Sequence, residues 1–357
     1  LEGGGLFGTD GGLRLADPGL RDGSVDAYNA TSGRNIVVVT YDLLLASNPD
    51  GTAVQPGSTY LNGASILNYA ALEGGINRVL SSPAADMADG ATIATAGPTI
   101  TKAVVTTSSA LTSTARGDAA VPDLAIGETV TYGLTIRLSE GLSRDLRVQD
   151  LLPNTNGDLE FVSARIVSIG GNLSGINTSA TPAITDRDSD GVQDTVSFTL
   201  GDVLNRADNL ENANDLLTIE VVARARNMTS NSAGDLLTNT ATISVADGDE
   251  AGKRVTASSS VNVELVEPSL SIDKSVNRTS ADAGDVLTYT VKVSNANGTY
   301  AASALDLVLT DLLSTLPPNA SFRPGSVTVA GTGATASIVT GNGSTDTGLR
   351  VYLSRLD

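Results

Sequence analysis

Apolar and polar positions alternate through much of this chain, at the two-residue period of a strand with one face buried. The clearest case is Leu237-Thr-Asn239-Thr-Ala241-Thr-Ile243-Ser-Val245, where threonine and serine take one face and Leu237, Ala241, Ile243 and Val245 the other. The same period predicts strands over 99–106, 129–138, 144–150, 160–168, 195–200, 216–226, 236–245 and 254–265. Turn-forming stretches such as Gly170-Gly171 and Asn227 through Gly234 separate them. Many short alternating strands at this spacing predict an all-β chain of tandem antiparallel β-sandwiches. The segment 203–214 reads equally as a helix or as a long loop. The segment 65–72 reads as strand plus turn, by its match to 242–249.

The pattern recurs along the chain. Gly127-Glu-Thr-Val-Thr-Tyr132 returns as Gly284-Asp-Val-Leu-Thr-Tyr289, and Asp150-Leu-Leu152 returns as Asp311-Leu-Leu313. Pro98-Thr-Ile-Thr-Lys102 returns as Pro268-Ser-Leu-Ser-Ile-Asp-Lys274. Leu237-Thr-Asn239-Thr-Ala241 is anticipated by Tyr60-Leu-Asn62-Gly-Ala64, and Thr345-Asp-Thr-Gly-Leu-Arg350 echoes Thr9-Asp-Gly-Gly-Leu-Arg14. The organisation expected is one complete repeat over 99–267. It is preceded by the C-terminal part of another repeat (1–98) and followed by the N-terminal part of a third (268–357). Thr95-Ala-Gly-Pro98 and Val266-Glu-Pro268 are the expected linkers, since proline ends one sheet and begins the next.

Three strands break their own parity in the same way. Asn239 falls among the apolar positions of its strand, Lys102 sits between Ile100 and Val104, and Asp150 sits between Val148 and Leu152. A polar group on a buried face is costly unless it is bonded to something, so these three are expected to meet. The exception recurs as Asn62, Lys274 and Asp311. The chain has four lysines, Lys102, Lys253, Lys274 and Lys292, and two of them take this unfavourable position. Burial lowers a lysine pKa and raises an aspartate pKa, which makes the amine a nucleophile and the carboxyl a proton donor. Attack of the amine on the Asn carboxamide carbon expels ammonia and leaves an amide cross-link, with proximity supplying most of the acceleration. An unreacted buried Lys–Asp pair is the alternative, and it is a poor source of stability.

A lysine ending a proline-started strand, then Gly-[Glu/Asp]-x-x-Thr-Tyr, then Asp-Leu-Leu, then Leu-Thr-Asn-Thr-Ala-Thr, resembles the fimbrial isopeptide-forming repeat domains of bacterial surface proteins and adhesins. The resemblance covers nearly the whole chain, as one full copy and two partial ones. It implies an immunoglobulin-like sandwich with a spontaneous isopeptide bond between Lys102 and Asn239, catalysed by Asp150. Lys274 with Asp311, and Asn62, are then partial sets.

Composition narrows the function further. Apolar residues make up 40% and aromatic residues 3% of 357 residues, so the core must be aliphatic. There is no cysteine and no histidine, which removes disulfides, thiolate sites and most triad or metalloenzyme chemistry. The net charge of −18 repels nucleic acid and anionic membranes, and no apolar run is long enough to span a bilayer. A secreted, extracellular or cell-surface protein is expected.

The stretch Asp186-Arg-Asp188-Ser-Asp190-Gly191-Val192-Gln-Asp194 sets carboxylates at alternate positions before a glycine. That spacing suits Ca²⁺, with the side chains of Asp186, Asp188, Asp190 and Asp194 and the Val192 carbonyl as ligands. Ser197 stands where an EF-hand has its closing glutamate, so the loop is not an EF-hand. The function expected is a structural segment of an extracellular filament, fimbria or adhesin stalk. Its partners would be adjacent repeats or other copies of itself, joined head to tail. The alternative is a calcium-dependent adhesin module that binds a sugar or a protein. An enzyme is disfavoured, because its paired carboxylates lie in a loop with metal-like spacing and not in a cleft.

Overall fold

A computed structural model describes residues 16–17, 21–22, 38–45, 53–71, 75–79, 82–112, 121–154, 158–312, 320–331, 336–346 and 348–357. Segment 9–14, which echoes 345–350, and Leu313 lie outside them. The chain divides into a unit over residues 1–46 and a unit over residues 47–357. In the first, β1 (Ala16–Asp17) pairs with β2 (Arg21–Asp22).

The second unit begins with a two-stranded hairpin of β3 (Thr59–Ser65) and β4 (Ala88–Ala94), with the single helical turn α1 (Ala84–Met87) leading into β4. A β-sandwich follows. Its smaller sheet has the order β5 (Thr99–Thr107), β7 (Thr129–Arg137), β13 (Leu216–Ala225), β9 (Leu159–Ile169). Its larger sheet has the order β10 (Leu173–Ser174), β12 (Thr195–Asn205), β8 (Gly141–Leu151), β14 (Leu236–Ala246), β15 (Arg254–Val266), β6 (Asp123–Ala125). A further strand, β11 (Ala183–Thr185), also pairs with β12. All pairings are antiparallel except β15 with β6.

The alternation explains the layers. In β7, Val130, Tyr132, Leu134 and Ile136 point inward, while Thr129, Thr131 and Thr135 stay partly exposed. Leu217, Ile219 and Val221 of β13 join them from the same sheet. Leu146 and Val148 of β8, Phe198 and Leu200 of β12, and Ala241 and Ile243 of β14 close the core from the other side. The β-branched and aliphatic residues suit this half-buried pleated surface. A fully buried leucine or isoleucine contributes roughly 1.5–3 kcal/mol, so the aliphatic core needs no tryptophan.

All eight strands expected from alternation are present. Segment 203–214 is neither a helix nor wholly a loop. The strand β12 runs on to Asn205, a loop follows, and Ala213–Asp215 forms a 3₁₀ turn capped by Asn212. At 65–72 the strand ends with Ser65, and 66–70 has no regular structure.

Beyond the sandwich, β16 (Leu270–Val276) pairs with β17 (Tyr289–Asn295), and β18 (Ala304–Leu312), β20 (Gly348–Leu356) and β19 (Ala336–Thr340) form a three-stranded sheet in that order. The sandwich is joined on both sides. Leu142 N donates to the Val54 carbonyl at 2.8 Å, and Gly248 N to the Pro56 carbonyl at 2.9 Å. At the other junction, Glu267 N donates to the Tyr300 carbonyl at 3.1 Å, Ala302 N returns a bond to the Glu267 carbonyl at 3.0 Å, and the Tyr300 ring lies against Gly234.

Candidate functional site: a buried lysine, aspartate, asparagine and tyrosine

The sandwich brings Lys102, Asp150 and Asn239 to one place in its interior. Lys102 comes from β5, an outer strand of the smaller sheet. Asp150 and Asn239 come from β8 and β14, neighbours in the larger sheet. Asp150 pairs with Ala241, so Asn239 lies two residues along β14 on the same face. All three side chains are buried. The Lys102 backbone N–H donates to Ser259 Oγ of β15 at 3.0 Å, which ties β5 to the larger sheet at this level.

Lys102 Nζ donates to both Asp150 oxygens, at 2.7 and 2.8 Å. Burial pushes the Lys102 pKa down, opposed by the charge and hydrogen bond of Asp150. Burial pushes the Asp150 pKa up, opposed first by Lys102 and then by Asn239. Both shifts favour the neutral amine and the neutral acid, the two forms that nucleophilic attack requires.

The Asn239 carboxamide is fully buried, and neither its oxygen nor its nitrogen reaches a partner at full hydrogen-bond geometry. Its polar neighbours are the Asp150 carboxyl and the Tyr132 hydroxyl, which both feel it electrostatically. Leaving such a group unsatisfied costs roughly 1–3 kcal/mol. The arrangement is therefore poor as a resting polar network. It is well suited to converting Asn239 into something less polar.

Tyr132 is the member that alternation alone did not single out. It lies fully buried on β7, with Lys102 Nζ 4.7 Å from its ring centroid. Burial, and next the Asp150 charge, push its pKa up, so it stays a neutral phenol. The ring walls the amine off from water. A buried tyrosine on an apolar face attracts no notice by itself. The signal that finds it is the recurrence of Gly-x-x-x-Thr-Tyr at 127–132 and 284–289.

The partial sets differ in exposure. Lys274 Nζ lies 2.7 Å from Asp311 Oδ2 and 5.2 Å from the Tyr289 ring centroid, which reproduces the Lys102, Asp150 and Tyr132 contacts. Here the lysine side chain is 45% exposed and the aspartate 20%. Asn62, placed on the apolar parity by its sequence, is exposed, because β3 and β4 make a two-stranded sheet among the described residues.

In the acidic loop, Asp186, Asp188 and Asp190 each offer a carboxylate oxygen within 4.8 Å of the others. Asp186 accepts from Ser189 N at 2.7 Å and Gly191 N at 2.9 Å. Backbone bonds of this kind, that of Gly191 foremost, hold its pKa down. Asp194 is not part of the cluster. It is buried, accepts from Arg187 N at 2.9 Å, and pairs with the Arg187 guanidinium at 3.3 Å. The Val192 side chain is buried, and its N–H donates to Asp190 Oδ1 at 2.7 Å.

No protein-family model matches the chain, and no curated protein does. Solved structures similar to it include the 35 kDa C-terminal fragment of the major pilin GBS80 of Streptococcus agalactiae, at 14% identity and a TM-score of 0.31, covering 50% of this chain and 58% of that one. The full-length major pilin SpaD from Corynebacterium diphtheriae is similar at 17% identity and a TM-score of 0.29, covering 50% and 41%. The collagen-binding domain from a Staphylococcus aureus adhesin is similar at 10% identity and a TM-score of 0.23, covering 38% and 87%. The chain thus spans about three-fifths and two-fifths of the two pilin chains. No helix among the described residues is long and apolar enough to cross a membrane.

Proposed function

We propose that this chain is a load-bearing segment of an extracellular filament, fimbria or adhesin stalk, and that Lys102 and Asn239 join covalently inside it. The observation that carries the proposal is the buried contact of Lys102 with both oxygens of Asp150, beside a buried carboxamide without a fully formed hydrogen bond.

In the step proposed, Asp150 takes the proton of the lysine ammonium, which leaves both groups neutral. Lys102 Nζ attacks Asn239 Cγ, while the protonated Asp150 donates a hydrogen bond to the carboxamide oxygen and polarises it. The Cγ–Nδ2 bond then breaks. Asp150 passes the proton lost by the amine to the departing nitrogen, which leaves as ammonia. No oxidant, reductant or cofactor takes part, and the reaction runs once per molecule. The product links β5 of one sheet to β14 of the other. Tandem sandwiches, an acidic surface and a covalent tie between sheets suit a rod under tension. The test is the intact mass of the purified chain. It should fall below the encoded mass by one ammonia, and Asp150→Ala should restore the encoded value. A wild-type chain at full encoded mass overturns the proposal.

We propose also that the 186–190 loop holds Ca²⁺. Three convergent carboxylates repel one another unless a cation sits among them, and oxygen donors of this kind suit a hard divalent ion.

A further inference from the structure

The step proposed for Lys102 gives one carboxyl two tasks. Asp150 polarises the Asn239 oxygen with its O–H, and it also delivers a proton to the departing nitrogen. Once that proton goes to the nitrogen, Asp150 no longer donates to the oxygen, where the negative charge of the tetrahedral centre rests. Donors aimed at such an oxygen are usually the largest single contribution to reactions of this kind. A second donor is needed, within reach of the carboxamide, shielded from water and still protonated.

Tyr132 meets each condition. It is fully buried, and its hydroxyl, like both polar atoms of the Asn239 side chain, has no partner at full hydrogen-bond geometry. It packs in the same core as Leu237 and Ala241, which flank Asn239 on the inward face of β14. The Asn239 carboxamide is its hydrogen-bonding neighbour, and burial keeps the phenol protonated. Lys102 pairs with Leu134, two residues along β7 from Tyr132, and its Nζ lies 4.7 Å from the ring centroid. Amine, carboxamide and hydroxyl therefore share one dry space.

Walling off the amine does not require the hydroxyl. A bare ring packs as well, as Phe198 does in the same core, and a buried hydroxyl without a partner destabilises the folded chain. The pairing also recurs. Lys274 pairs with Val291, two residues from Tyr289, and its Nζ lies 5.2 Å from the Tyr289 ring centroid. A tyrosine and not a phenylalanine accompanies both lysine–aspartate contacts.

We infer that the Tyr132 hydroxyl donates a hydrogen bond to the Asn239 carboxamide oxygen while Lys102 Nζ attacks Cγ, and holds that oxygen when the Asp150 proton passes to the nitrogen. The inference rests on the Lys102–Asn239 bond proposed above. Tyr132 contributes a hydrogen bond only and keeps its proton. The Nζ–Cγ bond forms, the Cγ–Nδ2 bond breaks, and ammonia leaves with the proton carried by Asp150.

The experiment follows intact mass against time as the full chain, recovered in denaturant from unfolded aggregates, is diluted into neutral buffer. Wild type is compared with Tyr132→Phe and with Tyr132→3-fluorotyrosine, substituted at that position alone. Tyr132→Phe should lose ammonia roughly 100-fold more slowly, the usual effect of removing one such donor. Tyr132→3-fluorotyrosine is a more acidic phenol and a stronger donor, so it should react faster than the wild type. Tyr132→Phe reacting at the wild-type rate overturns the inference. So does a rate indifferent to the fluorine, which decides the matter even where Tyr132→Phe fails to fold. A wild type that never loses ammonia overturns the Lys102–Asn239 bond itself. A wild type that loses it, beside an equally fast Tyr132→Phe, refutes the role of the hydroxyl and leaves the bond standing.

Discussion

Lys102, Asp150 and Asn239 each sit wrongly on their own strands and rightly with respect to one another. Removing Asn239 is the cleanest perturbation, because Asn239→Ala deletes the electrophile and keeps the Lys102–Asp150 contact. A bond from residue 102 to residue 239 closes a loop of about 137 residues, for which chain entropy gives ~5 kcal/mol. For a domain of this size that corresponds to a fall of roughly 10–20 °C in melting temperature for Asn239→Ala, read by calorimetry. Acid should stop the reaction, since a protonated amine has no lone pair to attack with. Chain recovered in denaturant from unfolded aggregates, and so never folded before, is expected to hold its full encoded mass when first folded in acid and to lose one ammonia after transfer to neutral pH. Burial holds the Lys102 pKa low, so the reaction should proceed well below the ordinary lysine range. Loss of ammonia at the same rate in acid would contradict this. These three residues were legible because a polar group at a buried parity has few explanations. Tyr132 was not, because a tyrosine fits an apolar face without one.

Within 99–267 the strands were legible wherever alternation lasted five residues or more. The strands β6, β10 and β11 are two or three residues long, too short to show a period. The end of β12 misled for a different reason. The helical reading of 203–214 rested on Val203, Leu204 and Leu210; Gly201, at φ 83°, carries an irregularity in the β8 pairing, beyond which Val203 and Asn205 face inward while Leu204 and Leu210 are exposed. At the junction, Gly141 has φ 117°, and a Cβ there would stand 2.3 Å from the Val54 carbonyl oxygen. Gly141→Ala should therefore detach 53–58 while the sandwich survives. Hydrogen exchange at Leu142 N should rise, with protection in β7 and β13 unchanged. Unaltered exchange at Leu142 would show that this contact does not hold the junction. In the 186–194 loop, Asp194 was taken for a ligand on spacing alone; its Arg187 contacts are invisible in a linear pattern. If the loop binds Ca²⁺, a chelator should lower the melting temperature through loss of a native-state ligand, and Asp188→Ala should abolish that sensitivity. An unchanged melting curve would leave the loop a simple acidic turn.

At the scale of the molecule, the recurrence of motifs led to the expectation of more than one sandwich, and the β16–β20 region carries the expected Lys–Asp contact. The sequence could not show that this second contact is open where the first is closed. Exposure depends on which neighbouring strands are in place, not on the local pattern. Within the complete sandwich, sheet holds to sheet through aliphatic packing and, on this account, through one covalent tie in its midst. The most direct measurement is a protease digest of the boiled, denatured chain, followed by tandem mass spectrometry. The account predicts a branched peptide in which the Lys102 side chain is joined to that of Asn239, absent from Asp150→Ala. Recovery of the two peptides only as separate, unmodified species would contradict it.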